Sequence, residues 1–177
     1  MDKLPVSECF AGIAGEGLKT GLKTVFLRLS QCNFAIEGHP CQWCDTSYAW
    51  YTNVKGVKMF TTEELEENLE LICLKTGIRE ICLTGGEPLY SPVKDLIHWC
   101  SKYYSLSVET NGSLPIWKEE CCWSVDIKAP GSGNDKYNLY SNLLLLTDKD
   151  QVKFVLSDRQ DFEFASRIVK SYGLVNA

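Results

Sequence analysis

A chain of 177 residues with 45% hydrophobic and 23% charged residues suits one globular domain, long enough to bury a core and too short for two ordinary domains. The formal net charge of -5 and a pI near 5.1, with no long basic run, speak against a nucleic-acid backbone as partner and for a small molecule. No apolar run is long enough to cross a bilayer and MDKLPVSECF lacks the features of a secretory signal, so a cytoplasmic protein in a reducing compartment, with no membrane partner, is expected.

In chain order, TVFLRLS (24–30) reads as the first strand and is followed by a long polar and aromatic loop over about 31–60. TTEELEENLELICLKTG is a helix with a clear start and stop. Thr61 or Thr62 caps it, its early turns are acidic, Leu65, Leu69, Ile72 and Cys73 form one apolar face, and Gly77 ends it. REICLT (79–84) reads as a buried strand that leaves through the turn GGEP. After Pro92, Val93, Leu96, Ile97 and Cys100 recur at helical spacing, and the strand SLSVET with its turn NGS follows. CWSVDIK is the next strand, and past the loop APGSGNDK a mixed Tyr, Asn and Leu stretch reads as helical. QVKFVLS (151–157) is a strand, and a final helix carries Phe162, Ala165, Ile168, Val169 and Tyr172 on one side.

Alternating strands and helices imply an α/β fold of parallel strands joined by right-handed crossovers, as a doubly wound sheet or a full or partial barrel. In either architecture ligands collect at the carboxyl ends of the strands. Four unusual loops fall there: CNFAIEGHPCQWCDT, GGEP, TNGS and APGSG. Arg28, Lys128 and Lys153 lie near the same strands, where they either meet an anionic ligand or end as solvated side chains.

Nine cysteines in a reducing compartment are ligands, catalysts or small buried hydrophobes rather than disulfide partners. Cys73, Cys82 and Cys100 fall on apolar stripes or in apolar strands, where packing explains them. Cys9, Cys121 and Cys122 could pack at strand ends, and the adjacent pair 121–122 cannot face the same side of a strand. Cys32, Cys41 and Cys44 share one loop. With His39 they could form a Cys3His zinc knuckle and make the chain a zinc-stabilised binding module. Alternatively, three thiolates can hold a 4Fe-4S cluster and leave one iron open for a substrate or cosubstrate.

The order of the cysteine loop and the GGE turn resembles the radical S-adenosylmethionine (SAM) enzymes, which carry C-x3-C-x2-C after the first strand of a partial (β/α) barrel and GGE after the second. Here the first spacing is eight residues, and IEGHP looks like an insertion, which costs little closure entropy. Within that superfamily, AGIAGEGLKTGLKTVFLRLSQCN closed by CQWCDT is similar to the 7-carboxy-7-deazaguanine synthase family, and the likeness covers nearly all of residues 1–177 as one domain. Related chains continue beyond KSYGLVNA, so a barrel shortened at the C-terminus is expected.

The resemblance implies a lyase of queuosine and other deazapurine biosynthesis, supplying a tRNA modification pathway. It would convert 6-carboxy-5,6,7,8-tetrahydropterin to 7-carboxy-7-deazaguanine with loss of ammonia, through a SAM-derived radical that takes hydrogen from C6. Cys32, Cys41 and Cys44 would ligate the 4Fe-4S cluster and Thr46 would ligate Mg2+. SAM would be held by Trp43, Cys44, Asp45, Gly85, Gly86, Glu87, Asp126, Ile127 and Lys128, with Glu109 and Asn111 at its ribose or amino groups. The pterin would meet Ile13, Ala14, Gly15, Glu16, Arg28 and Thr84; many members have glutamine where this chain has Ala14. A flavodoxin-like or other electron donor and a homodimer are the implied partners. A glycyl-radical activase is the nearest enzymatic alternative, against which GEG and CDT argue. Independently of the resemblance, two glycines let backbone approach a ligand, Glu87 can accept from an ammonium group and the Arg28 guanidinium suits a carboxylate.

Overall fold

The computed structural model describes residues 3–174. Its seven strands are β1 (Leu4–Ile13), β2 (Lys23–Leu29), β3 (Lys58–Phe60), β4 (Glu80–Gly85), β5 (Ser105–Thr110), β6 (Cys122–Asp126) and β7 (Gln151–Lys153). They form one sheet in the order β3-β1-β2-β4-β5-β6-β7. From β2 to β7 every pairing is parallel, as the strand and helix alternation requires. β1 and β3 add an antiparallel edge beside β2 that the strand reading did not contain. The sheet does not close, so the architecture is a partial barrel.

Period-two alternation divides this sheet into two faces. Val25, Leu27 and Leu29 of β2, Ile81 and Leu83 of β4, Leu106 and Val108 of β5, and Trp123 and Val125 of β6 all belong to one buried core. Helix α2 (Thr62–Thr76) covers it with Leu65, Leu69 and Cys73, and α3 (Lys94–Tyr103) with Leu96, Ile97 and Cys100. The expected cap of α2 is Thr61, in a reciprocal capping box. Its hydroxyl accepts the Glu64 N–H while Glu64 Oε2 accepts the Thr61 N–H at 2.8 Å. Gly77 ends the helix at φ 70°.

Three elements depart from expectation. The stretch after Lys136 forms no α-helix but short 3-10 turns, at Asp135–Tyr137 and Tyr140–Leu144. Asn138 and Asn142 cause this, because their side chains bond loop backbone: Asn142 accepts the Ile116 N–H and donates to the Leu114 carbonyl. β7 stops at Lys153 rather than running to 157, since β6 offers it no partner beyond Asp126. In α4 (Arg159–Tyr172) Phe162 is 51% exposed and lies off the packed face; Phe164, Ala165 and Ile168 do the packing instead. Among the described residues no helix is long and apolar enough to cross a membrane.

Candidate active site

The opposite face of the sheet is polar and lines a cavity of about 700 Å³. Its wall is every second residue of the parallel strands: Thr24, Phe26 and Arg28 of β2, Cys82 and Thr84 of β4, Ser107 and Glu109 of β5, Cys122, Ser124 and Asp126 of β6, Gln151 and Lys153 of β7. Register aligns them into rungs, such as Phe26, Cys82, Ser107 and Cys122 across four strands. Cys121, immediately before β6, belongs to the core instead.

At the carboxyl ends of the strands, the loop after β2 brings Cys32, Cys41, Trp43, Cys44, Asp45 and Thr46 to the rim. Two of the sulfurs accept N–H donors: Asn134 Nδ2 donates to Cys41 Sγ at 3.4 Å and Trp50 Nε1 to Cys44 Sγ at 3.2 Å. Cys32 stands at the N-cap position of the short helix α1 (Asn33–Ile36), near the amides of Phe34 and Ala35, without a capping hydrogen bond from its side chain. Burial pushes the Cys32 thiol up, opposed by the Ala35 and Phe34 amides. Burial does the same to Cys41, opposed by the Lys128 charge and Asn134. Three soft donors on one cavity wall, with N–H groups placed to hold negative charge on sulfur, fit an iron–sulfur cluster.

His39 does not join them. Its ring bonds Asn134 Oδ1 at 2.8 Å and Glu37 Oε2 at 3.1 Å and stacks on Tyr137 at 4.5 Å, so both nitrogens are engaged. Among the described residues no three His, Cys, Asp or Glu side chains gather as ligands of one ion, whereas in a cluster each thiolate takes a separate iron. The loop is not built as a zinc knuckle.

Backbone packing explains the glycines of the second loop. A Cβ on Gly85, which sits at φ 136°, would strike the Leu29 backbone, and one on Gly86 would strike the carbonyls of Gln31 and Ala49. Gly86 N–H donates to Leu29 O and Glu87 N–H to Gln31 O, so the turn is stitched to the start of the cysteine loop. Gln31 is the one non-glycine with positive φ among the described residues.

Of the residues to which the resemblance gave a site role, seventeen line the cavity: Ala14, Gly15, Glu16, Arg28, Cys32, Cys41, Trp43, Cys44, Asp45, Thr46, Thr84, Gly85, Gly86, Glu109, Asn111, Asp126 and Lys128. Three do not. Ile13 is 61% exposed at the end of β1, with its side chain outside the cavity. Ile127 is buried in the apolar core, which leaves only its backbone for a ligand. Glu87 is fully buried behind the wall, where its carboxylate accepts from Leu89 N–H, Thr110 Oγ1 and Asn111 N–H. It therefore shapes the turn instead of meeting an ammonium group directly. Burial raises its carboxyl, against the pull of those donors.

Charges on the wall come in pairs. Arg28 Nε donates to Glu8 at 3.1 Å, Lys128 Nζ to Asp126 Oδ2 at 2.7 Å and Lys153 Nζ to Glu16 at 2.7 Å, while Thr84 donates to Glu109 at 2.6 Å. The Lys128 ammonium also stands 5.0 Å from the Trp43 ring centre. Two buried polar atoms of residues on this wall, Trp43 Nε1 and Asp126 Oδ1, have no partner among the described residues. Sequence reasoning missed Phe26, Ser107, Ser124 and Gln151 on the wall, and Glu8, which pairs with Arg28. For Phe26, Ser107 and Ser124 the signal was present, since in TVFLRLS, SLSVET and CWSVDIK the residues between the core positions are those on the wall.

The radical SAM superfamily model matches residues 29–122. A 7-carboxy-7-deazaguanine synthase of Koribacter versatilis is 32% identical over 179 residues, covering 98% of this chain and 74% of its own. One of Clostridium acetobutylicum is 36% identical over 177 residues, covering 96% and 76%. The crystal structure of QueE from Escherichia coli shares the fold, with a TM-score of 0.74 at 22% identity over 96% of this chain and 78% of that one.

Proposed function

Because the chain belongs to the 7-carboxy-7-deazaguanine synthase family of the radical SAM superfamily, we propose a division of labour for its cavity in that family's reaction. The activity is that of a carbon–nitrogen lyase forming 7-carboxy-7-deazaguanine from a carboxylated tetrahydropterin. The observation that carries the reading is the convergence of the three-cysteine loop, the GGE turn and the polar strand face on one cavity.

Cys32, Cys41 and Cys44 would hold the 4Fe-4S cluster, which with SAM supplies one-electron cleavage of the sulfonium when bound. SAM would lie along Trp43, Asp45, Gly86, Asn111 and the Asp126–Lys128 segment, which line the cavity beside the cysteine loop except for Ile127. Only the Ile127 backbone would take part. Arg28 is oriented by Glu8, which uses its Nε and leaves the terminal amino groups for the substrate carboxylate. Glu16 and Thr84 would meet the pterin ring. The deep polar wall would hold the reacting carbon of the substrate beside SAM and exclude bulk water.

Thr46, beside Asp45 on the rim, would contribute a hydroxyl to Mg2+, whose charge would neutralise the substrate carboxylate. A flavodoxin-like electron donor and a homodimer belong to the same proposal. Anaerobic reconstitution followed by incubation with reductant, SAM and 6-carboxy-tetrahydropterin tests it, with the deazaguanine expected by mass spectrometry. Formation of 5′-deoxyadenosine without that product would refute the substrate assignment.

A further inference from the structure

Lys153 has no role in that division of labour, yet it stands on the cavity wall and its ammonium donates to Glu16 Oε1 at 2.7 Å. The partners come from opposite ends of the chain, Glu16 from the tip of the β1–β2 hairpin and Lys153 from β7. Their meeting is preorganised. Two residues earlier on the same face of β7, the Gln151 carboxamide accepts the Leu18 N–H at 2.7 Å and donates to Ser124 Oγ at 2.7 Å. Gly17, at φ 68°, lies so close to that carboxamide that a Cβ would collide with it, so the hairpin tip presses directly on β7. The second oxygen, Glu16 Oε2, takes no hydrogen bond among the described residues.

Nζ bonds Oε1 and leaves Oε2 without a hydrogen bond among the described residues, so the pair sets two acceptor oxygens and one ammonium donor side by side among the residues that line the cavity. The 2-amino-4-oxopyrimidine edge of a pterin or a deazaguanine runs donor, donor, acceptor: the 2-amino N–H, N3–H and O4. We infer that Glu16 and Lys153 together read this edge, with Lys153 the specificity-determining donor to O4, an inference that rests on the function proposed above. Burial alone would lower the Lys153 ammonium, but the hydrogen bond and charge of Glu16 hold it above its ordinary value, so it is a full donor at neutral pH. Ring contraction occurs in the other ring and leaves this edge unaltered. Binding there is therefore uniform from substrate to product, and its loss appears in KM more than in kcat.

The test uses reconstituted holoenzyme under anaerobic conditions and measures binding of 7-carboxy-7-deazaguanine and of its counterpart with an amino group in place of O4. Wild type is expected to prefer the oxo compound by about 10- to 100-fold; because the amino compound also lacks the N3–H that Glu16 accepts, Lys153→Met is expected to lose the share owed to O4, about 3- to 10-fold. KM for the pterin should rise by a similar factor while kcat falls far less. Lys153→Arg keeps a donor and should keep the preference. Full preference in Lys153→Met overturns the inference; if that variant does not fold, Lys153→Gln replaces it, with a weakened preference expected and an unchanged one overturning. A wild type that binds neither compound yet cleaves SAM would overturn the substrate assignment first, and the inference with it.

Discussion

The backbone amide of Glu87 donates to the carbonyl of Gln31 at 2.7 Å, joining the turn after β4 to the residue that precedes Cys32. Gly86 lies flat against that junction, where a side chain would meet the Gln31 and Ala49 carbonyls. Neither obstacle is a flexible side chain, so the backbone itself must shift. Gly86→Ala is expected to cost about 1–3 kcal/mol in urea unfolding and to weaken SAM binding. Wild-type stability would show that the junction yields.

Cys82 lines the cavity but is no nucleophile. Burial, and then the Glu109 charge, push its thiol up to about 12, and burial does the same for Cys100 and Cys121. Native protein treated with iodoacetamide at neutral pH should leave these three unmodified, and peptide mass spectrometry should find them labelled only after unfolding. The linkage has a definite sign. A folded value raised above 9.0 stabilises fully below pH 9, and the contribution is lost as pH rises from 9 toward 12, because the unfolded thiol ionises first. The stability lead of wild type over Cys82→Ala should therefore narrow across that window.

The parallel half of the fold was legible because each strand and helix announces itself locally: Thr61 with Glu64 starts α2, Gly77 stops it, and Leu96, Ile97 and Cys100 repeat at helical spacing. β1 was not legible. LPVSECFAGI carries a proline, and its Cys9, Phe10 and Ala11 are exposed, so only the distant pairing with β2 makes it a strand. The rim residues came from motif order, whereas the wall residues were readable only by following both faces of each strand. Glu87 shows what motifs conceal, since the sequence names the residue but not the direction of its carboxylate.

Asn33 and Asn111 lock the cysteine loop to the turn after β5. Asn111 Nδ2 donates to Asn33 Oδ1 at 2.9 Å, Asn33 Nδ2 donates to Ser113 Oγ at 2.9 Å, and Ser113 Oγ returns a bond to Asn111 Oδ1 at 2.6 Å. Because both asparagines are buried and the three side chains satisfy one another, removing one strands the others. A double-mutant cycle of Asn33→Ala and Asn111→Ala should give a coupling of about 0.5–3 kcal/mol by denaturant unfolding. Additive effects would mean that the loop is held elsewhere.

On the proposed assignment Cys41 would hold the cluster and Asn134 would tune it, and the two roles can be separated. Cys41→Ala removes a thiolate from a set of three, so iron and sulfide per protein should fall steeply after reconstitution. Asn134 supplies only an N–H to the Cys41 sulfur and anchors the inserted loop through the His39 carbonyl at 3.1 Å. An N–H beside sulfur favours the more negative, reduced cluster, so its loss should make reduction harder. Asn134→Ala is expected to assemble a cluster whose potential, by redox titration followed with electron paramagnetic resonance, is more negative than that of wild type. An unchanged potential with the cluster intact would reduce Asn134 to a packing residue of the inserted loop.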